Sequence, residues 1–258
     1  MSKSCQPLIR SLSVRFSLGH RIDWHTHDWS QLLYASEGAV SVSTKDRESV
    51  IPPFQAIWVP ANLSHKVEMH GRVFLRTLYV HPKLGVGAHE GAVRVSALMH
   101  ELILHCCSIG ILRDDLTSSQ NLIRFVIDQL VALAPAPFEV TMPGDPRAYK
   151  MAAAILKTPS ASLERLASQS GASVRTLQRL FRQETGYSLG QFRHRVMMLE
   201  AVRLLAANRI INDVAMQLGY ESTSAFIQAF RKCYGITPGQ FSKLGTAMVD
   251  RSEQDDPY

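Results

Sequence analysis

Arg175, Gln178, Arg179 and Arg182 recur at the spacing that puts residues on one face of a helix. Guanidinium and carboxamide groups suit bidentate hydrogen bonding to the guanine and adenine edges of the major groove. One such arginine would describe a solvated helix face, but four donors on one stripe point to a polyanion. A second stretch, Thr223, Ser224, Ile227, Gln228 and Arg231, offers a milder set. A different chemistry sits near the other end of the chain. His25 and His27 are two apart, Gln31 follows, and His65 lies further on. On a strand, residues two apart share a face, and imidazole nitrogen suits zinc, iron, nickel and similar ions.

The elements that must hold the arginines form an internal repeat. Ala167-x3-Gly171-x-Ser173, Leu177 and Phe181-Arg182-x3-Gly186 return as Ala215-x3-Gly219, Ser222, Phe226 and Phe230-Arg231-x3-Gly235. In each copy the pattern predicts a short helix with a buried face (Leu163, Leu166, Ala167, Ser170; then Ile211, Val214, Ala215, Leu218). A glycine turn follows, then a second helix capped by Ser173 or Ser222. Helix, tight turn, helix is a form of DNA reader. A helix from about Leu189 to Ala207, roughly 28 Å long, could hold the two units about one duplex turn, ~34 Å, apart. Charge agrees. Residues 147–245 carry 14 Lys and Arg against 5 Asp and Glu, a net +9, so the rest of the 258-residue chain is −3 beneath an overall +6.

Residues Ser162 to Lys243 resemble the DNA-binding domain of the AraC/XylS family of transcription regulators. The resemblance rests on Asp213-Val214-Ala215-x2-Leu218-Gly219-Tyr220, Phe226-x3-Phe230-Arg231-Lys232 and Gly235-x-Thr237-Pro238. It implies a seven-helix, two-unit domain gripping an asymmetric site through successive major grooves. Base-reading residues would fall on Arg175, Gln178, Arg179, Thr223, Ser224 and Gln228. Ile227, on the outer face of the second reader, offers only apolar contact. Activation is the commoner behaviour in that family, which implies an activator with RNA polymerase among its partners. Within the family, the first zone resembles the subgroup controlling drug-exporter genes, the nitroimidazole-export regulators among them.

That first zone, about Val14 to Val80, reads as short strands: Val40-Ser41-Val42-Ser43 alternates, while Ala56–Val59 and Val73–Leu75 are apolar. Gly19-x5-His25-x-His27-x3-Gln31-x6-Gly38, followed by Pro60-x-Asn62-x2-His65, resembles the two motifs of the cupin superfamily of small β-barrels. The resemblance implies a metal held by His25, His27, Gln31 and His65. Gln31 stands where that superfamily has a glutamate, and Asn62 where it has a glycine. A barrel that binds an organic effector, with Trp24, Trp29, Tyr34 and Trp58 lining the pocket, is the other reading.

The expected fold is α+β with two domains: a cupin-like β-barrel with following helices, and an all-α double helix-turn-helix domain. Boundaries are expected at 1–90 for the effector domain, 91–134 for a helical segment that could pair two chains, 135–146 for a linker of irregular structure, and 147–245 for the DNA-binding domain. In the helical segment Leu98, Leu102 and His105, then Leu122, Phe125, Val126, Leu130 and Leu133, are the predicted apolar faces. Residues 246–258 are expected to be a disordered tail. Cys106 and Cys107 read as buried or partly buried thiols. No apolar run has membrane-spanning length and the polar start lacks a signal-peptide core, so a cytoplasmic protein is expected. The expected partners are double-stranded promoter DNA, a small-molecule effector and a second copy in a homodimer. The rival class is a metal-dependent cupin enzyme, a dioxygenase or isomerase with an accessory helical domain. It leaves the basic repeat without a task.

Overall fold

A computed structural model describes residues 6–17, 19–53, 55–86, 90–114 and 117–247. It separates into two compact units. One comprises the described residues up to Val42 together with Ile51–Ala136; the other comprises Ser43–Val50 and the described residues from Pro137 onward.

The first unit is an antiparallel sheet with two helices. Its strands are β1 (Pro7–Phe16), β2 (Arg21–His25), β3 (Ser30–Ser43, whose last residue belongs to the other unit), β5 (Gln55–Val59), β6 (His65–Val80), β7 (Gly91–Arg94) and β8 (Ile111–Arg113). The order is β7-β5-β3-β6-β1-β8, with β2 also on β6. β6 alternates from His65 to Thr77, burying His65, Val67 and Met69, then Val73 and Leu75, and changes phase at Leu78. Its Gly71, at φ 81°, lies between the residues that pair β2 and those that pair β1. In β3, Gly38 at φ 72° cannot be replaced: a Cβ there would lie 2.2 Å from the Arg72 carbonyl oxygen. Helices α1 (Ala97–Ile109) and α2 (Thr117–Val131) pack with Leu32, Tyr34, Ala56, Trp58, Leu78 and Val80 in one core. Each large side chain so buried contributes roughly 1.5–3 kcal/mol.

Four expectations are corrected here. The buried face of α1 is Met99, Leu102, Ile103 and Cys106, while Leu98 is half-exposed and His105 exposed. In α2, Ile123, Val126 and Leu130 are buried and Phe125 points outward. The segment expected to be helical also contributes β7 and β8 to the sheet. Finally, the expected linker, 135–146, is not irregular throughout. Val93 bridges Pro135, and Ala136 donates its N–H to Ala92; further on, Glu139–Thr141 forms β9. Proline had argued against strand here, but the prolines sit outside the three residues that pair.

The second unit opens with a two-stranded ribbon. β4 (Arg47–Ile51, whose last residue belongs to the first unit) pairs β9 antiparallel, setting Arg47 opposite Thr141 and Ser49 opposite Glu139. Asp145 then caps α3 (Pro146–Lys157), with proline at its first position. There follow α4 (Leu163–Ser170), α5 (Val174–Thr185), α6 (Leu189–Ala206), α7 (Ile211–Gln217), α8 (Thr223–Tyr234) and α9 (Pro238–Ala247). The expected tail begins inside α9; residues 248–258 lie outside the described residues. Arg203 of α6 bonds both Glu200 and Glu48 and so ties the ribbon to the helices, while Arg47 pairs Glu139 at 2.7 Å across the ribbon itself. Among the described residues no helix is long and apolar enough to cross a membrane.

Candidate nucleic-acid interface and histidine centre

The two helix-turn-helix units are built alike. Ser162 caps α4, Ser173 caps α5 and Ser222 caps α8, each accepting a backbone N–H three residues on. Gly171 (φ 77°) and Gly219 (φ 79°) turn the chain after α4 and α7 in the left-handed conformation that glycine adopts without cost. The inner faces are Leu177, Leu180 and Phe181 in α5, and Phe226 and Phe230 in α8. Between them α6 spans about 27 Å and is buried nearly all round, from Leu189 and Phe192 to Val202 and Leu205. Ser188 and Gln191 close its start with a reciprocal capping box.

The outer faces differ. Arg175, Gln178, Arg179 and Arg182 are all exposed on α5. Arg179 makes one bond, to the Gln183 side chain at 3.3 Å. None of the three arginines has an acidic partner among the described residues. On α8, Ser224, Gln228 and Arg231 are exposed, whereas Ile227 is half-buried. The Thr223 hydroxyl donates to Asn212 Oδ1 at 2.6 Å. That bond ties the start of α8 to α7 and engages a side chain expected to be free. Asn212 was not singled out from the sequence, where nothing distinguishes it from a solvated helix residue.

In the first unit His25 and His65 face each other across the β2·β6 pairing, and His27 follows just beyond the end of β2. One nitrogen from each of the three rings lies within 4.8 Å of the others. Each Nδ1 faces a nearby backbone carbonyl: His25 that of Asp23 at 2.8 Å, His27 that of Trp29, and His65 that of Leu63 at 2.8 Å. A neutral ring that donates from Nδ1 keeps a lone pair on Nε2, which is how histidine ligands are commonly oriented. His65 is fully buried and its Nε2 has no hydrogen-bond partner. Burial pushes its pKa down to about 4, against the Leu63 bond and with His25 and His27 reinforcing the shift.

Gln31 joins them. Its Nε2 donates to the Tyr79 hydroxyl at 3.0 Å, which turns Oε1 to within 2.9 Å of His27 Nε2. A His27 ring that donates from Nε2 hydrogen-bonds this oxygen; one that donates from Nδ1 to Trp29 instead sets two acceptors face to face, open to a cation. Two ligands bound at right angles to one ion at about 2.1 Å would lie about 3 Å apart, so the spacing fits a shared cation. The donor set of three imidazoles and an amide oxygen fits a divalent metal. Tyr79 was missed from the sequence, although its place on β6 was open to reading by alternation from His65.

The four aromatics expected to line one pocket are not brought together. Tyr34 and Trp58 lie in the core with α1 and α2, on the face of the sheet opposite Gln31. The register explains it: Leu32 pairs Trp58 and Gln31 pairs Val59, so successive side chains take opposite faces. Trp24 is 54% exposed, and Trp29 lies edge-on to His81 under the Arg10 guanidinium. Cys106 is buried and Cys107 partly so, as expected, and the Cys106 thiol is pushed up to about 12 by desolvation and by Cys107.

Residues 166–244 match the family described as Helix-turn-helix domain, and residues 15–100 that described as AraC-like ligand binding domain. The chain is 28% identical over 236 residues to the HTH-type transcriptional regulator NimR of Escherichia coli K12, covering 90% of this chain and 86% of that one. It is 36% identical over 86 residues to the HTH-type transcriptional activator RhaR of Klebsiella pneumoniae, a match that covers 33% of this chain and 31% of RhaR. A solved structure of ToxT from Vibrio cholerae with bound unsaturated fatty acid aligns over 95% of this chain and 98% of that one, at 10% identity and TM-score 0.40. Matches to a ligand-binding family and a helix-turn-helix family, with one relative spanning both, place the chain among regulators rather than enzymes. This chain belongs to the AraC/XylS family of DNA-binding transcription regulators.

Proposed function

We propose that this protein is an effector-responsive transcription activator of the cytoplasm, reading promoter DNA chiefly through α5. The carrying observation is the row of exposed donors without acidic partners, Arg175, Gln178, Arg179 and Arg182, on a helix capped and packed as a reader. Ser224, Gln228 and Arg231 of α8 are assigned the second groove, with Thr223 positioning α8 through Asn212. Activation is supported by RhaR, which carries the name of activator and matches a third of this chain; RNA polymerase is the partner that activation calls for. Leu98 of α1 and Phe125 and Val131 of α2 are exposed apolar side chains, which supports pairing of two copies through these helices.

The test is selection from a random duplex library by the full chain at near-physiological salt. Two enriched blocks about one helical turn apart are expected. A folded protein that enriches nothing, with or without candidate effectors, would overturn the reading.

A second reading concerns the histidine centre. The buried, unpartnered Nε2 of His65 favours a divalent metal held by His25, His27, His65 and Gln31. Such an ion would supply positive charge and open coordination positions to the effector domain. Zinc or cobalt titration of the full chain by calorimetry tests it, one equivalent being the expected stoichiometry.

A further inference from the structure

We propose that the effector is a small anion with oxygen donors, a carboxylate being the simplest, that completes the metal centre, and that Gln31 leaves the centre open to it. The inference rests on the metal reading above. No group that converges on the site carries a negative charge: three imidazoles whose Nδ1 atoms face backbone carbonyls, and one amide oxygen. Among the described residues no aspartate or glutamate joins the cluster. A divalent ion there keeps its whole charge, and a charge withdrawn from water is costly unless an opposite charge meets it.

Position 31 is where the chain could have supplied that charge. Gln31 is 5% exposed and oriented by the Tyr79 hydroxyl, so a carboxylate at the same place would point into the centre. The amide supplies a donor atom without charge. His65 closes the inner side, fully buried, while His25 and His27 are half-buried and leave the outer side approachable. Arg10, stacked 4.6 Å over Trp29 and with no acidic partner among the described residues, adds a positive charge beside the residue whose carbonyl holds His27.

The experiment loads the full chain with cobalt(II) and follows its visible spectrum while acetate or oxalate is added, with sodium chloride at equal ionic strength as control. A saturable change with oxalate, and a weaker one with acetate, is expected. Gln31→Glu supplies the missing charge in place, so it should bind cobalt about 10-fold more tightly and respond about 10-fold less to oxalate. Gln31→Met, neutral and of similar length, should bind cobalt more weakly and keep the oxalate response. A cobalt spectrum indifferent to both carboxylates, or a Gln31→Glu protein that responds as the parent does, overturns the anion proposal and leaves the metal reading standing. Failure of cobalt to bind the folded chain removes the metal reading and the proposal with it.

Discussion

The histidine centre and the outer face of α5 are opposites in hydrogen-bonding terms. The centre gathers three imidazoles, each with Nδ1 against a backbone carbonyl, and the Gln31 oxygen, with His65 Nε2 buried and unmatched. The α5 face gathers donors and no anion: three arginines and a glutamine held in the open. Other charged groups find their partners within the chain, as where Arg203 meets Glu48 and Glu200. What the chain leaves unmatched describes its partner, a cation in one place and a polyanion in the other. The two also differ in how they are held. The centre is fixed by strand register and backbone carbonyls, whereas the α5 donors depend only on a rigid helix beneath them.

The largest expected effect breaks the acceptor side. His65→Ala should lower zinc affinity by more than about 100-fold, since even outer-shell changes cost 10–100-fold. Because that substitution also empties a buried site, His25→Ala at a half-buried position is the companion variant and should do the same. Neither should alter the DNA sequence selected by the α5 face. A change in selected sequence would mean that the contrast drawn here is false.

Next in size is the donor side. Arg179→Ala should cost about 1–3 kcal/mol of operator affinity, ~10- to 100-fold, and relax preference at one base pair. Thr223→Ala should cost less in affinity and show mainly as lower stability, since that hydroxyl is engaged by Asn212. Arg182→Gln should weaken binding to all sequences alike and reduce the salt slope by about 1, as expected for a phosphate contact. Loss of base preference in Arg182→Gln instead would move that residue among the readers.

How far each region could be read from the sequence follows from the same difference. The α5 face was legible because helix periodicity is local and the buried pattern recurs after 48 to 49 residues. The histidines were legible only as a motif. Their convergence needs β2 to meet β6 in one register, a non-local fact. The aromatics failed for a related reason. Leu32, Leu33, Tyr34 and Ala35 are all buried, so β3 is covered on both faces and alternation in hydrophobicity vanishes. Without it, nothing local says that Tyr34 and Trp58 share the face opposite Gln31. β9 was hidden likewise, because three residues among prolines become a strand only by pairing with β4.

The smallest expected effect comes from a pair that is already matched. The Tyr34 hydroxyl meets His100 Nδ1 at 2.6 Å, donor to acceptor, beside the core of the first unit. Tyr34→Phe should therefore cost only about 1 kcal/mol of stability and leave metal and DNA binding unchanged. Its pH dependence carries a sign. Burial lowers the pKa of His100, with Glu101 opposing and Arg76 reinforcing the shift. The unfolded chain then takes up that proton first as pH falls, so stability held above about pH 6.5 is lost below it. Tyr34→Phe removes a donor that favours the neutral ring, which raises the folded-state pKa toward the unfolded one. The stability gap between parent and variant should thus be widest near pH 7.5 and narrow toward pH 5 in thermal unfolding. A gap that widens in acid would mean that the hydroxyl accepts from a protonated His100, and the pair would no longer serve as the matched control.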